Sequence, residues 1–295
     1  MFSKVLVATD LSPASDAVLD CLDGLHSLGA REVTLLHVIF VHLHYPETYD
    51  TEEAIRKAGE PKLEEQTTRL QEKGFTVTAE TAVGRPAKVV AQYAAERGMS
   101  LIVVGSHGAS MQREVLLGSV TTELLHRATA PLLVVRHKIL EEPDGQVRCE
   151  LACADILADV LHPTDFSDTA ERAFSYVQKL AAGGARRIRL LHVQDQAKLS
   201  PHLADRLAEF NEIDSARLSR LRDRLVSVGA PHVFTEVAYG SPTSEIIKRA
   251  SDGATTLIVL GSQGRSFLAE VFLGEVAHNV ARLAPVPVLL IPHPR

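Results

Sequence analysis

The sequence predicts an α/β fold built from two doubly wound, five-stranded parallel-sheet domains in tandem. Three observations predict it. The chain repeats itself at a near-constant offset, each half alternates short apolar runs with helix-periodic segments, and 295 residues is long for one domain and comfortable for two. Thr9-Asp10-Leu11-Ser12 returns as Thr164-Asp165-Phe166-Ser167, and Leu35-Leu36-His37-Val38 returns as Leu190-Leu191-His192-Val193, both at an offset of 155. Gly84-Arg85-Pro86 returns as Gly240-Ser241-Pro242 at an offset of 156, so one loop between them differs by one residue.

The first copy reads as follows. Lys4–Thr9 is a Val- and Leu-rich strand. Ser12 is placed to cap a helix whose first residue is Pro13; Val18, Cys21, Leu22, Leu25 and Leu28 follow at helical spacing, and Gly29 ends the segment. Val33–Ile39 is the second strand. Thr51–Lys73 is a helix, with a kink or a later start expected at Gly59-Glu60-Pro61. Phe75–Ala82 is a strand, Pro86 opens a helix that ends near Gly98, Leu101–Val104 is a fully apolar strand, Val115–Ala128 a helix and Leu132–Val135 the last strand. The second copy repeats this from about Leu157 to Ile291; its long helix carries Leu203, Leu207, Phe210, Leu218, Leu221, Leu225 and Val228 along one face. Continuous apolar strands alternating with helices imply a flavodoxin-sized parallel sheet covered on both faces. The predicted domains are residues 1–140 and 155–295. Residues 138–156 hold the boundary, and Pro143-Asp144-Gly145 marks a turn within them.

Bulk properties narrow the function. A net charge of −6 gives no electrostatic case for nucleic acid or an anionic membrane, and no run of about 18 apolar residues suggests a membrane span. The N-terminus lacks a signal-peptide cleavage region. Cys21, Cys149 and Cys153 make no disulfide framework, and Cys149-x3-Cys153 has no second pair to complete a zinc site. A cytoplasmic protein is the expectation.

In open parallel sheets, ligands bind beyond the carboxyl ends of the strands where strand order reverses. The loops after strands one and four are the pointed ones. Gly105-Ser106-His107-Gly108 is followed by nine residues and then Gly118-Ser119. Glycines at 105 and 108 let backbone N–H groups approach an anion, and a helix starting at Gly118-Ser119 aims its free N–H groups and dipole at the same place. The Ser119 hydroxyl adds a donor, and Asp10 is an acceptor suited to ribose hydroxyls. Together these read as a nucleotide site. Singly, each has a plainer reading: a turn glycine at a strand end, an N-cap at Ser119, a cap of the first helix at Asp10.

With those residues in place, the chain resembles a tandem universal stress protein over nearly its whole length. The family pattern Gly-x2-Gly-x9-Gly-(Ser/Thr) is matched by Gly105, Gly108, Gly118 and Ser119, and Ala8-Thr9-Asp10 and Leu36-His37-Val38 also fit. The resemblance implies strand order 3-2-1-4-5. It implies ATP, with or without Mg2+, in the first copy: adenine between the first two strand ends at Ala8, Thr9 and Val38, ribose at Asp10, phosphates at Gly105, Gly108, Gly118, Ser119 and Val120, and Val104 beneath the ligand. It further implies a cytoplasmic stress-response protein whose two domains pack as an intramolecular pseudo-dimer, with a further homodimer left open. The other readings are a slow ATPase or nucleotide-dependent transferase and a nucleotide-independent scaffold.

The second copy keeps Pro163, Thr164, Asp165, Val193, Gly261, Gly264 and Gly274 but has Glu275 where the first has Ser119. A carboxylate there competes for the helix N–H groups and repels phosphate by roughly 1–4 kcal/mol at contact distance. Arg265 is placed to offset this or to pair with Glu275. The second site is expected to be empty or to hold something other than a triphosphate, which makes this domain a degenerate regulatory or structural half.

Other candidates are weaker. His37, His42 and His44 read as solvated loop histidines rather than a metal set, His107 as loop filler or a phosphate contact, and His162 as a packed strand-end residue. No Gly-x4-Gly-Lys-(Ser/Thr), Gly-x-Ser-x-Gly or His-Glu-x2-His motif is present, so no catalytic residue is assigned; Arg113 and Glu114 are the nearest candidates for assisting slow hydrolysis.

Overall fold

The computed structural model describes residues 1–40, 48–107, 117–141, 147–151, 155–199, 206–263 and 273–293. They divide into two compact units, Met1–Ala154 and Asp155–His293.

In the N-terminal unit, strands β1 (Lys4–Thr9), β2 (Glu32–Ile39), β3 (Thr76–Val83), β4 (Leu101–Gly105) and β5 (Leu132–Val135) alternate with helices α1 (Pro13–Asp20), α2 (Thr48–Glu72), α3 (Pro86–Glu96) and α4 (Ser119–Arg127). The strands are parallel in the order β3-β2-β1-β4-β5, so strand order reverses between β1 and β4. Buried Leu6, Leu35, Ile102 and Val134 carry the sheet into the core, while Leu19, Val90 and Leu124 cover it from the helices.

Three local features differ from the sequence expectation. Helix α1 ends at Asp20, and a 3₁₀ turn over Asp23–Leu28 carries the apolar residues on to Gly29, at φ +88°. Gly24 and the flanking aspartates are poor helix formers, yet Leu22, Leu25 and Leu28 still reach the core. Helix α2 runs through Pro61, which is exposed, so water can take the carbonyl that the missing N–H leaves without a partner. Helix α4 starts at Ser119 rather than Val115; residues 115 and 116 lie outside the described ones.

The boundary segment also holds structure that the sequence reading treated as a connection. Strands β6 (His137–Glu141) and β7 (Val147–Leu151) pair antiparallel, with Ile139 opposite Cys149.

The C-terminal unit repeats the plan with β8 (Asp159–Pro163), α5 (Asp168–Ala182), β9 (Arg187–Asp195), α6 (Gln196–Leu199), α7 (Leu207–Ser227), β10 (Val233–Gly240), α8 (Pro242–Ala250), β11 (Leu257–Gly261), α9 (Glu275–Leu283) and β12 (Val288–Ile291). Its strand order is β10-β9-β8-β11-β12, again 3-2-1-4-5 within the unit. No helix among the described residues is long and apolar enough to cross a membrane.

Candidate functional site

In the N-terminal unit the strand register brings the predicted residues to one edge. Val7 is level with Val103, which places Thr9 near Gly105 at the carboxyl ends of β1 and β4. Thr9 is level with His37, so Val38 lies one residue beyond it on β2. Ala8, Thr9, Asp10, Val38, Val104 and Gly105 therefore share the end of the sheet where strand order reverses. Gly108, Arg113 and Glu114 lie outside the described residues, as do His42 and His44.

The turn after β1 is strained and braced. Leu11 has φ +62°, a left-handed conformation that costs a β-carbon-bearing residue about 1–2 kcal/mol. Its N–H donates to Thr9 Oγ1 at 3.0 Å. Asp10 Oδ1 accepts from the Ser12 N–H at 3.1 Å and from the hydroxyls of Ser12 and Ser15 at 2.5 Å each. Asp10 thus braces the start of α1, the plainer role considered for it, while its side chain stays exposed at the crevice.

Helix α4 is held at its start by backbone and side chain together. The Gly118 N–H donates to Ser106 O at 2.8 Å, and the Ser106 N–H donates to Val135 O at 2.9 Å. Thr121 Oγ1 donates to Gly105 O at 2.7 Å, tying the first turn of α4 to the end of β4. No side chain caps this helix at Gly118, and its first turn contains no acid, so its N-terminal N–H groups and dipole favour an anion. Ser119 is exposed there and Val120 is half-buried. His107 Nδ1 lies 3.0 Å from Ser106 Oγ.

His37 is a strand residue rather than part of a loop cluster. Its Nδ1 lies 3.0 Å from Thr9 O, and because a carbonyl only accepts, Nδ1 carries the proton. A further polar chain joins the end of β1 to α2. Thr9 Oγ1 donates to Gln66 Oε1 at 2.9 Å, Gln66 Nε2 donates to Asp16 Oδ1 at 2.7 Å, and Lys62 Nζ meets Asp16 Oδ2 at 2.9 Å. The Asp16 hydrogen bond holds the Lys62 ammonium above its ordinary range.

The C-terminal unit copies the scaffold and changes the chemistry. The Gly274 N–H donates to Ser262 O at 2.8 Å and the Ser262 N–H to Ile291 O at 2.9 Å. Phe166 repeats the left-handed turn at φ +58°, with its N–H on Thr164 Oγ1 at 3.1 Å. Gly261 has a packing reason to be glycine: a β-carbon there would meet Thr169 Cγ2 at 2.7 Å and Thr169 O at 2.9 Å. The helix start, however, carries Glu275, and Ala277 stands where Thr121 anchors α4.

A cleft of about 670 Å³ opens at this edge, bounded by the ends of β8, β9 and β11, the start of α9 and one side of α7. Its polar lining was not foreseen. His192 Nδ1 lies 2.8 Å from Thr164 O and its Nε2 lies 3.4 Å from Asp214 Oδ2; Gln194 Nε2 donates to the same carboxylate oxygen at 3.0 Å. Arg217 reaches Asp214 Oδ1 at 3.4 Å and lies over the Phe166 ring at 5.3 Å. Asp214 occupies the position of Gly59, and Gln194 that of Ile39. A polar residue replacing its repeat partner on an apolar face was the available signal.

His162 is wholly buried in this unit, with Nδ1 2.8 Å from Val259 O. Burial pushes its pKa down to about 4.

The family model that matches this chain, described as the universal stress protein family, covers residues 1–136 and 158–292, one match on each copy. The chain belongs to the universal stress protein family. It is 29% identical over 300 residues to a universal stress protein of Mycolicibacterium smegmatis, covering 97% of this chain and 96% of the relative. A shorter relative, a universal stress protein of Bacillus subtilis, is 35% identical over 150 residues, which is 46% of this chain and 100% of the relative. A solved universal stress protein from Archaeoglobus fulgidus has the same fold, with a TM-score of 0.73 at 24% identity over 99% of each chain.

Proposed function

We propose that this universal stress protein acts in the cytoplasm, binds ATP in its N-terminal copy and signals through occupancy rather than turnover. The observation that carries the reading is the start of α4 at Gly118-Ser119. It has no side-chain cap, it is tied to the end of β4 by Thr121, and it lies where strand order reverses. Phosphates are assigned to Gly105, Gly108, Gly118, Ser119 and Val120, and adenine to Ala8, Thr9 and Val38, with Val104 beneath it. The ribose is assigned to Asp10, whose carboxylate is already oriented by Ser12 and Ser15. The donor set suits a polyanion, because the start of α4 offers backbone N–H groups and the Ser119 hydroxyl with no acid in its first turn. No group of three or more His, Cys, Asp or Glu residues suited to a metal occurs among the described residues, so Mg2+ would arrive on the triphosphate oxygens.

The test incubates excess full-length chain with labelled ATP and recovers the bound fraction. The reading expects intact ATP retained by the wild type and none by Gly118→Val. Multiple-turnover release of ADP would replace the reading with an ATPase. Absence of retained nucleotide, together with a melting temperature that ignores ATP, would leave a nucleotide-independent scaffold.

A further inference from the structure

We infer that helix α2 is a charge-held latch on the turn after β1, so that its docking sets how tightly the N-terminal crevice holds a ligand. Of the described side chains of α2, Gln66 and Leu70 alone are buried, whereas its counterpart α7 buries Leu218, Leu221 and Leu225. A ladder of charge holds α2 to α1 and to the 3₁₀ turn that follows it. Lys62 meets Asp16 at 2.9 Å, Arg69 meets Asp20 at 2.6 Å, and Lys73, just past the helix, meets Asp23 at 2.6 Å. Residues 62, 66, 69 and 73 recur at the spacing of one helical face, as do 16 and 20 on α1. Each of these charged side chains is a fifth or more exposed, so each pair is weak singly and is loosened further by salt. The second copy keeps one such pair, Arg224 with Glu171, and has Ser175, Gln178 and Val228 in place of Asp20, Asp23 and Lys73.

The same helix reaches the crevice turn at two points. Gln66 Oε1 accepts from Thr9 Oγ1, and that hydroxyl accepts the Leu11 N–H within the left-handed turn. At Gly59 a β-carbon would meet Leu11 Cδ1 at 2.9 Å, so the backbone of α2 lies against the Leu11 side chain. Asp10 stands between these two residues. The second copy makes the same turn, Phe166 on Thr164, with Leu221 at the place of Gln66. The turn therefore forms without a link to the long helix. What Gln66 adds is dependence: an undocked α2 takes the acceptor from Thr9 and the packing from Leu11. By linkage, a ligand held at that turn keeps α2 docked, and a loosened α2 weakens the ligand by the same factor.

The effect on affinity rests on the reading of this crevice as a nucleotide site; the control of the turn by α2 does not. Hydrogen exchange on the full chain, read by mass spectrometry over α2, over the turn and over α7 as a reference, tests both. Raising salt to about 1 M, where the screening length is about 3 Å, is expected to speed exchange in α2 and the turn together, and in α7 less. Arg69→Leu, or Asp20→Asn from the other side of the pair, is expected to do the same at low salt and to weaken ATP about fivefold. Gln66→Leu cuts the link and leaves the ladder in place. In that background Arg69→Leu is expected to loosen α2 alone, with no further change in the turn or in ATP affinity. A turn that stays protected when α2 loosens, an α2 indifferent to salt and to both charge variants, or a turn that follows α2 without Gln66 would overturn the inference. Unchanged ATP affinity in Arg69→Leu would overturn its bearing on the ligand. A wild type that holds no ATP would overturn the nucleotide reading and leave the exchange results to decide the latch.

Discussion

The two copies have the same strand order, the same left-handed turn after their first strand and the same backbone clamp at the start of their last helix. They differ in where the polar links lie. In the N-terminal copy, Thr9, Gln66, Asp16 and Lys62 join β1 to α1 and α2, while the start of α4 is left to donors. In the C-terminal copy, Leu221 replaces Gln66, and the polar cluster has moved onto β9 and α7, around Asp214, with a carboxylate at the start of α9. A duplicated scaffold has kept its backbone geometry, and its chemistry has been reassigned by single residues at fixed positions. Exchanging residues between copies therefore breaks or sharpens the comparison directly.

Ser119→Glu gives the first copy the acid of the second and has the largest expected effect. A carboxylate in the first turn of α4 should weaken ATP about 100-fold, equivalent to roughly 3 kcal/mol within the contact-distance range, with the fold unchanged by circular dichroism. Undiminished ATP affinity would show that α4 does not receive phosphate.

His162→Val restores Val7, the residue of the first copy, at the matching strand position. The His162 pKa is about 4 in the folded chain, against about 6.5 when unfolded. Between these values the unfolded state binds more protons, so this contribution to stability is intact above pH 6.5 and is lost as pH falls toward 4. The loss is up to about 3 kcal/mol. Denaturant titrations from pH 7 to 4 should show a flatter acid limb in His162→Val; an identical limb would remove this histidine from the acid response.

Gln66→Leu gives α2 the residue of α7. Gln66 is 1% exposed and bridges Thr9 and Asp16. Removing it leaves a buried hydroxyl without its acceptor and should cost about 2 kcal/mol of stability by denaturant unfolding. Thr121→Ala, the residue of α9, removes one hydrogen bond to Gly105 O and should cost about 1 kcal/mol. The same variant should also weaken ATP several-fold by loosening the start of α4, whereas a purely structural Thr121 would lower stability and leave ATP affinity alone.

The fold was legible because period and punctuation agree. Apolar runs such as Leu101–Val104 and Leu257–Leu260 are rich in β-branched residues, are followed by glycine and are too short for helices, so they read as strands buried on both faces, and Ser12-Pro13 and Gly29 bracket their segment as capping chemistry predicts. The repeat offset then divided ten strands between two units of five. The antiparallel pair β6 and β7 was missed because residues 138–156 read as a connection between the two copies. For the N-terminal copy, residue types pointed to the strand ends, and strand register brings Thr9, Val38 and Gly105 to one edge. Asp10's bracing by Ser12 and Ser15 needed coordinates. The C-terminal cleft was least legible. Gln194 and Asp214 lie 20 residues apart, and neither belongs to a motif, so only the fold shows that they meet.

The central claim is that one residue at the start of the last helix decides which copy takes a triphosphate. It is tested most directly by counting ATP bound per full-length chain, by calorimetry, in wild type, Ser119→Glu and Glu275→Ser. The account predicts one site, no site and two sites. Two sites in the wild type, or the same count in all three chains, would contradict it.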